Sequence, residues 1–203
     1  MEQVCIAFKA HMGWVNTAAV ARGDSGIRCL AVGRVDLVSG DDREVLEPYH
    51  VAGGWHGLER RPRPADPAAV VRRGRKRQVA SACLALSGYQ DSLRQRGLEL
   101  TRAVLLTGRG RIGADLERLL GSHAQIHVAE GEAVRDALRE ALRALAVDRL
   151  EQDEKTVLAR AATTLDESDP DAFLRSAPPP VRPPAGPWRK EERLLALAAW
   201  LHR

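Results

Sequence analysis

Two histidines and a glutamate recur at helical spacing in the stretch SHAQIHVAEGE, residues 122–132. Steps of three and four residues place His123, His127 and Glu130 on one stripe of a helix, in line with leucines that would face the core. Histidines at i and i+4 with a carboxylate nearby can ligate zinc or another divalent ion. The glutamate lies outside the pair, so the pattern is not the HExxH of metalloproteases. The alternative is a set of partly buried polar residues with hydrogen-bond partners in the core.

A second group of chemically active side chains follows two predicted strands. Lys9 and His11 come at the end of the first strand, and Thr107, Arg109 and Arg111 lie in the segment TGRGRIG after the fourth. Ligand sites gather at the carboxyl ends of parallel strands, and a glycine-rich turn into a helix can cradle an anion on its N–H groups. The segment lacks the GxxxxGK[ST] pattern of a P-loop. An ordinary strand-to-helix turn is the alternative.

Together these residues make up the predicted site. A lysine that holds an anionic group beside a histidine acid or base would suit a hydrolase or phosphotransferase. The two groups meet in one pocket if the histidine helix packs beside the first and fourth strands. The predicted catalytic residues are Lys9, His11, His127 and Glu130. The predicted ligand-binding residues are Thr107, Arg109, Arg111, His123 and Arg135. A divalent metal is the cofactor that this pattern allows, with its ligands unassigned.

Positive charge is concentrated in one segment. The chain has 203 residues and a net charge of +4, yet residues 60–77 alone carry eight basic residues and one aspartate. A patch of that density can hold phosphate groups, and a solvated surface is the alternative. In the preceding segment, Tyr49, His50, Trp55 and His56 could stack on bases or anchor a long loop.

The composition is typical of a globular protein. Hydrophobic residues make up 44% of the chain and charged residues 29%, which fits one core. We find no apolar run near the roughly 20 residues that span a bilayer and no basic segment of a signal peptide at the amino terminus. Three scattered cysteines without CxxC spacing favour a reducing compartment and argue against a cysteine-ligated metal. We therefore expect a cytoplasmic protein that binds no membrane, and the oligomeric state stays open.

The order of elements predicts an α/β fold. Hydrophobic patterning predicts strands at 4–8, 14–21, 27–38, 101–107 and 147–150. It predicts helices at 68–96, 112–146, 154–165 and 189–202. An irregular loop is expected at 39–67 and a proline-rich spacer at 176–187. Three antiparallel strands followed by parallel strands make a mixed sheet flanked by helices, here expected as a single domain over 1–203.

Both ends of the chain resemble those of one superfamily. The opening segment VCIAFKAHMGWV, residues 4–15, is similar to the first strand and turn of the Holliday-junction-resolvase branch of ribonuclease-H-like proteins. The segment KEERLLALAAWLH, residues 190–202, is similar to the closing helix of that branch, where an acidic residue precedes an Ala/Leu-rich stretch. The order of elements is shared over nearly the whole chain. The resemblance implies a ribonuclease-H-like fold and a nucleic-acid-directed function.

The chain departs from that family at its metal-binding acids. Nucleases of the superfamily hold two divalent metals with several carboxylates. The family's acid at the end of the first strand falls on Lys9, and its acid at the end of the fourth strand falls near Thr107. Glu191 and Glu192 in the closing helix are the remaining candidates. This pattern implies a protein that binds nucleic acid, or a nuclease with a non-standard active site.

The expected partner is therefore nucleic acid or another phosphate-bearing ligand. Two alternatives stay open. One is the small-molecule hydrolase or phosphotransferase with a Lys/His/Glu pocket. The other is a non-catalytic interaction scaffold that docks through its proline-rich spacer and final helix.

Overall fold

The chain alternates between helices and strands after an opening run of three strands. The computed structural model describes residues 1–23, 26–38, 40–57, 59–108, 110, 115–177, 181, 183, 185 and 188–203. The strands are β1 (Glu2–His11), β2 (Trp14–Gly23), β3 (Gly26–Asp36), β4 (Trp55–His56), β5 (Glu59–Arg60), β6 (Leu98–Thr107) and β7 (Asp148–Asp153). The helices are α1 (Arg43–Leu46), α2 (Pro48–Gly53), α3 (Pro67–Gln95), α4 (Leu116–Leu120), α5 (His123–Ala144), α6 (Val157–Leu165), α7 (Pro170–Ser176) and α8 (Lys190–Leu201).

One mixed sheet contains five strands in the order β3-β2-β1-β6-β7. β2 pairs antiparallel with both β1 and β3, whereas β6 pairs parallel with both β1 and β7. The tight turn from β1 to β2 contains Gly13 at φ 75°, a left-handed conformation that glycine adopts at little cost. This arrangement confirms the predicted α/β fold class, a mixed sheet of three antiparallel strands followed by parallel strands. The carboxyl ends of β1, β6 and β7 meet at one edge of this sheet.

Alternation along β1 divides the core between the two faces of the sheet. Ile6 and Phe8 pack in one cluster with residues of α3 and α5. Cys5 and Ala7 pack in another cluster with residues of α6 and α8. Since successive side chains of a strand point to opposite faces, Lys9 lies on the face that α8 covers. Helix α5, which carries His123 and His127, packs on the opposite face of the sheet.

The long helix predicted at 112–146 is interrupted, which corrects that prediction. α4 ends at Leu120, and α5 begins at His123. The Oγ atom of Ser122 accepts a hydrogen bond from the N–H of Gln125 at 3.4 Å, and such an N-cap satisfies a first-turn donor of a new helix. The predicted start of the helix, within 111–114, lies outside the described residues.

The connection predicted to be irregular, residues 39–67, contains α1, α2 and the small hairpin of β4 and β5. Helices and strands this short have too few residues to show a hydrophobic period. For the same reason α7 has no counterpart among the predictions. The proline-rich spacer predicted at 176–187 falls largely outside the described residues. Within the part of the chain that the structure describes, no helix combines the length and apolarity needed to cross a membrane.

Candidate functional sites

Lys9 lies between two carboxylates at the carboxyl end of β1. Its Nζ atom donates to Glu154 Oε1 at 2.8 Å and lies 3.0 Å from Glu191 Oε2. The other oxygen of Glu191 is 2.9 Å from His11 Nε2 and accepts a hydrogen bond from the side-chain amide of Asn16. Glu154 directly follows β7, and Glu191 lies in the first turn of α8. These five residues form the Lys9 cluster.

Contacts within the Lys9 cluster stabilise the charged forms of Lys9 and Glu191. Burial acts to lower the pKa of Lys9, but hydrogen bonds and charge from Glu154 and Glu191 outweigh it, so that pKa lies above its ordinary value. Burial likewise acts to raise the pKa of Glu191, but the bonds from Asn16, Lys9 and His11 hold it below its ordinary value. Lys9 and Glu191 therefore each favour the charged form of the other.

An aromatic ring fixes the orientation of His11. The rings of His11 and Trp14 stack with their centroids 3.9 Å apart and an interplanar angle of 8°. The guanidinium of Arg34 lies 4.3 Å from the centroid of the Trp14 ring, which adds a cation–π contact. The stacked ring and the contact of its Nε2 atom with Glu191 place His11 beside that carboxylate.

A cavity of about 360 Å³ adjoins the Lys9 cluster. Its polar lining consists of Asp153, Glu154, Lys155 and Lys190, and Gly108 and two leucines complete it. Lys155 and Lys190 are both exposed, and neither forms an ion pair with another described residue. Two exposed lysines and two carboxylates therefore border the cavity.

The glycine-rich turn predicted to bind an anion follows β6 at the same edge. Thr107 is the last residue of β6 and is half-buried, and Gly108 lines the cavity. Arg109 and Arg111 lie outside the described residues. Their role in anion binding therefore stays a prediction.

Three histidines from two helices face one another at the start of α5. His50 belongs to α2, and His123 and His127 lie one turn apart on α5. The ring centroid of His50 lies 5.4 Å from that of His123 and 4.7 Å from that of His127. The ring centroids of His123 and His127 are 4.5 Å apart. Each residue offers a ring nitrogen, and these nitrogens all lie within 4.8 Å of one another. These three residues form the histidine cluster.

Glu130 connects the histidine cluster to the packing of α2 on α5. It is 3% exposed, and its Oε1 atom accepts hydrogen bonds from the N–H groups of Tyr49 at 2.7 Å and His50 at 2.9 Å. The N-cap residue of α2, Glu47, makes no side-chain capping bond, so Glu130 satisfies these first-turn donors instead. The same oxygen lies 3.2 Å from His50 Nδ1.

The charge of Glu130 is only partly compensated. Burial raises the pKa of Glu130 above its ordinary value, although the hydrogen bonds from His50 and Tyr49 oppose this. Its Oε2 atom is buried and has no hydrogen-bond partner among the described residues. A buried carboxylate in this state favours a nearby positive charge.

The histidine cluster opens toward solvent on one side. His50 is buried, His123 is half-buried and His127 is exposed. The ring of Trp55 stacks on His123 at 4.5 Å between centroids. Desolvation lowers the pKa of His127 below its ordinary value, and the neighbouring His50 and His123 lower it further. The neutral imidazole, which is the form that binds a metal, is thereby favoured.

The structure divides the predicted catalytic residues between two places. Lys9 and His11 lie in the Lys9 cluster, whereas His127 and Glu130 lie at the histidine cluster on the helix that covers the opposite face. The structure therefore does not bring these four residues together in the single pocket that the sequence predicted. The predicted anion-binding residue Arg135 is bonded to Glu132 at 2.8 Å.

Sequence reasoning missed two partners that complete these clusters. His50 follows Pro48 in a helix of six residues, and no periodicity links it to α5. Glu154 follows β7, and the rule that ligand sites gather at the carboxyl ends of parallel strands could have identified it. It was missed because β7 was predicted to end at residue 150 rather than at Asp153.

The basic segment at 60–77 is largely compensated by acidic neighbours. The ion pairs are Arg63–Glu117, Arg72–Asp66, Arg73–Glu44, Arg75–Asp136 and Arg77–Asp42. Each pair offsets positive charge that a phosphate backbone would otherwise attract. The segment therefore contributes less free positive charge than its composition suggests.

Comparison with known proteins gives similarity in structure alone. No known family model matches the chain, and no curated protein matches it. Thermus thermophilus RuvC in complex with a Holliday junction substrate has a TM-score of 0.49 at 11% identity, over 98% of this chain and 92% of that chain. A second Thermus thermophilus RuvC structure has a TM-score of 0.47 at 10% identity, with the same coverage.

An Aquifex aeolicus member of the Ppx/GppA family is more distant. Its TM-score is 0.38 at 9% identity, over 80% of this chain and 40% of that chain. At these levels of similarity, function has to be inferred from the side chains of this chain.

Proposed function

We propose that this protein binds nucleic acid at the sheet edge around the Lys9 cluster and does not cut it by two-metal chemistry. The observation that carries the proposal is the position of the Lys9 ammonium, 2.8 Å from Glu154 and 3.0 Å from Glu191. These two carboxylates are the ones that Lys9 contacts, and Asp153 lies next to Glu154 at the end of β7. The Lys9 ammonium is already paired with Glu154 and with Glu191.

A metal ion at this place would have to displace the ammonium or lie beside it. Two-metal catalysis requires several carboxylates to offset the charge of two cations. The two glutamates and Lys9 sum to a net charge of −1, so the lysine cancels half of the negative charge that these glutamates would offer to divalent ions. The Lys9 cluster is therefore better suited to fix the end of β1 against α8 than to activate water.

The binding surface is supplied by the adjoining cavity. Lys155 and Lys190 border it without ion pairs to other described residues, and unpaired lysines are the groups that contact phosphates. Gly108, which follows Thr107, lines the same cavity. The lysines of this edge, rather than the compensated segment at 60–77, are the proposed phosphate contacts.

A filter-binding titration against branched, duplex and single-stranded DNA and RNA tests this proposal. We expect binding at low ionic strength whose affinity falls steeply with salt. Lys155→Glu and Lys190→Glu should each weaken binding and reduce the slope of log affinity against log salt by about 1. The matched control is Lys76→Glu, an exposed lysine of α3, which should leave the slope nearly unchanged.

Two results would overturn the proposal. One is a loss of affinity in Lys76→Glu as large as that in Lys155→Glu and Lys190→Glu, since binding would then not be centred on the sheet edge. The other is magnesium-dependent cleavage of any of these substrates that disappears in Glu191→Gln.

A further inference from the structure

We propose that His50, His123 and His127 bind one zinc ion, with Glu130 orienting His50. This site is separate from the sheet edge proposed to bind nucleic acid, and neither proposal depends on the other. Imidazole nitrogens are ligands that zinc prefers, and three histidines with one open position form a common zinc centre.

The geometry of the three rings suits a shared ion. Tetrahedral zinc with Zn–N bonds of about 2.0–2.1 Å needs ligand nitrogens about 3.4 Å apart. The three available nitrogens already lie within 4.8 Å of one another, so small side-chain rotations close the remaining gap. The rings of His123 and His127 are inclined by 49°, and those of His50 and His127 by 67°. Rings inclined in this way are not stacked on one another.

Glu130 supplies the hydrogen-bond acceptor that a metal-binding histidine usually contacts through its other ring nitrogen. The Oε1 atom of Glu130 already accepts two backbone N–H groups, and as an acceptor at 3.2 Å it favours the His50 tautomer with the proton on Nδ1. Glu47 Oε2, 3.6 Å from the same nitrogen, favours the same proton position. The Nε2 atom of His50 then carries the lone pair. This carboxylate–histidine–metal arrangement fixes the tautomer and makes the imidazole more basic.

The backbone around the histidine cluster is held in place without a metal. Glu130 bonds the first turn of α2 to α5. A Cβ atom at Gly53 would lie 2.8 Å from Ile126 Cδ1, so the absence of a side chain there permits this close packing of α2 on α5. The two helices that supply the ligands therefore stay in position, which is the preorganisation that a binding site requires.

The buried carboxylate gives the site its charge. The Oε2 atom of Glu130 has no hydrogen-bond partner among the described residues, and a divalent ion close to Glu130 would offset its charge. His127 is the exposed ligand. Solvent can therefore reach the fourth position of the ion.

Zinc titration of protein stripped with EDTA, read by competition with a chromophoric chelator, tests this site. We expect one zinc per chain and a tetrahedral cobalt spectrum on substitution. His127→Ala should weaken zinc binding by at least about 100-fold, and Glu130→Gln by about 10–100-fold. The matched control is His56→Ala, an exposed histidine of β4 outside the histidine cluster, which should bind zinc like the unmodified protein.

Because His127 is exposed, its replacement leaves the core intact, and far-ultraviolet circular dichroism checks the fold of each variant. The proposal is overturned if the unmodified protein shows no saturable zinc binding. It is also overturned if folded His127→Ala binds zinc as tightly as the unmodified protein, or if His56→Ala loses zinc to the same degree. None of these measurements involves nucleic acid, so failure of this site and failure of the proposed function are distinguishable.

Discussion

Replacing Lys9 with methionine tests the role of the Lys9 cluster in the fold. Methionine keeps most of the apolar length of the side chain and removes the ammonium that lies 2.8 Å and 3.0 Å from two carboxylates. Glu154 and Glu191 then face each other without the positive charge between them. We expect Lys9→Met to lower the free energy of unfolding.

The size of the loss follows from the burial of the three side chains. Lys9, Glu154 and Glu191 are 23%, 36% and 25% exposed, between a surface ion pair and a buried one. Exposed pairs contribute less than about 1 kcal/mol, whereas breaking a buried pair costs about 3–5 kcal/mol. We therefore expect a loss of about 2–3 kcal/mol for two such contacts.

Urea unfolding at neutral pH measures this loss. With a denaturant slope of about 2–3 kcal/mol per molar, the midpoint should fall by roughly 1 M. Lys155→Met is the matched control, because that lysine forms no ion pair with another described residue, and its midpoint should change little. A midpoint for Lys9→Met equal to that of Lys155→Met would refute the reasoning.

Three further predictions concern single side chains. The lowered pKa of Glu191 stabilises the fold above its unfolded pKa of about 4.3, and this contribution disappears as the pH falls through the folded pKa. The difference in unfolding free energy between Glu191→Gln and the unmodified protein should therefore be smaller at low pH than at pH 6. A difference that stays constant with pH would contradict this prediction. Glu130→Ala leaves two first-turn donors of α2 without an acceptor and should lower the free energy of unfolding in urea by about 2–3 kcal/mol. Glu130→Gln keeps an acceptor and should lower it by less, so equal losses in the two variants would argue against the capping role. The thiols of Cys5 and Cys29 are buried, and burial raises the pKa of each to about 12. Cys83 should therefore be the cysteine that reacts with a thiol reagent in the native protein, and reaction of all three cysteines at similar rates would contradict the burial.

The overall fold could be predicted because its main signals are local. The continuous apolar stretch before Thr107 predicts a central buried strand, and the short apolar run before Lys9 predicts the first strand. In β6 and β1 those signals led to the correct elements. The spacing of His123 and His127 likewise predicted that they share a helix face.

The clusters themselves depend on contacts between distant segments. His50 meets α5 across more than seventy residues, and Lys9 meets Glu154 across 145. No local pattern encodes such a meeting; it depends on how α2 and β7 pack in the finished fold. The break before α5 was visible in principle, since Gly121 followed by Ser122 is typical of a helix end and a new N-cap.

Nucleic-acid binding across a salt series, with and without magnesium, tests the central claim most directly. The account predicts salt-dependent binding by the unmodified protein, weakened in Lys155→Glu and Lys190→Glu but not in Lys76→Glu, with the substrate left intact when magnesium is present. The absence of binding at low ionic strength, or magnesium-dependent cleavage that requires Glu191, would contradict it.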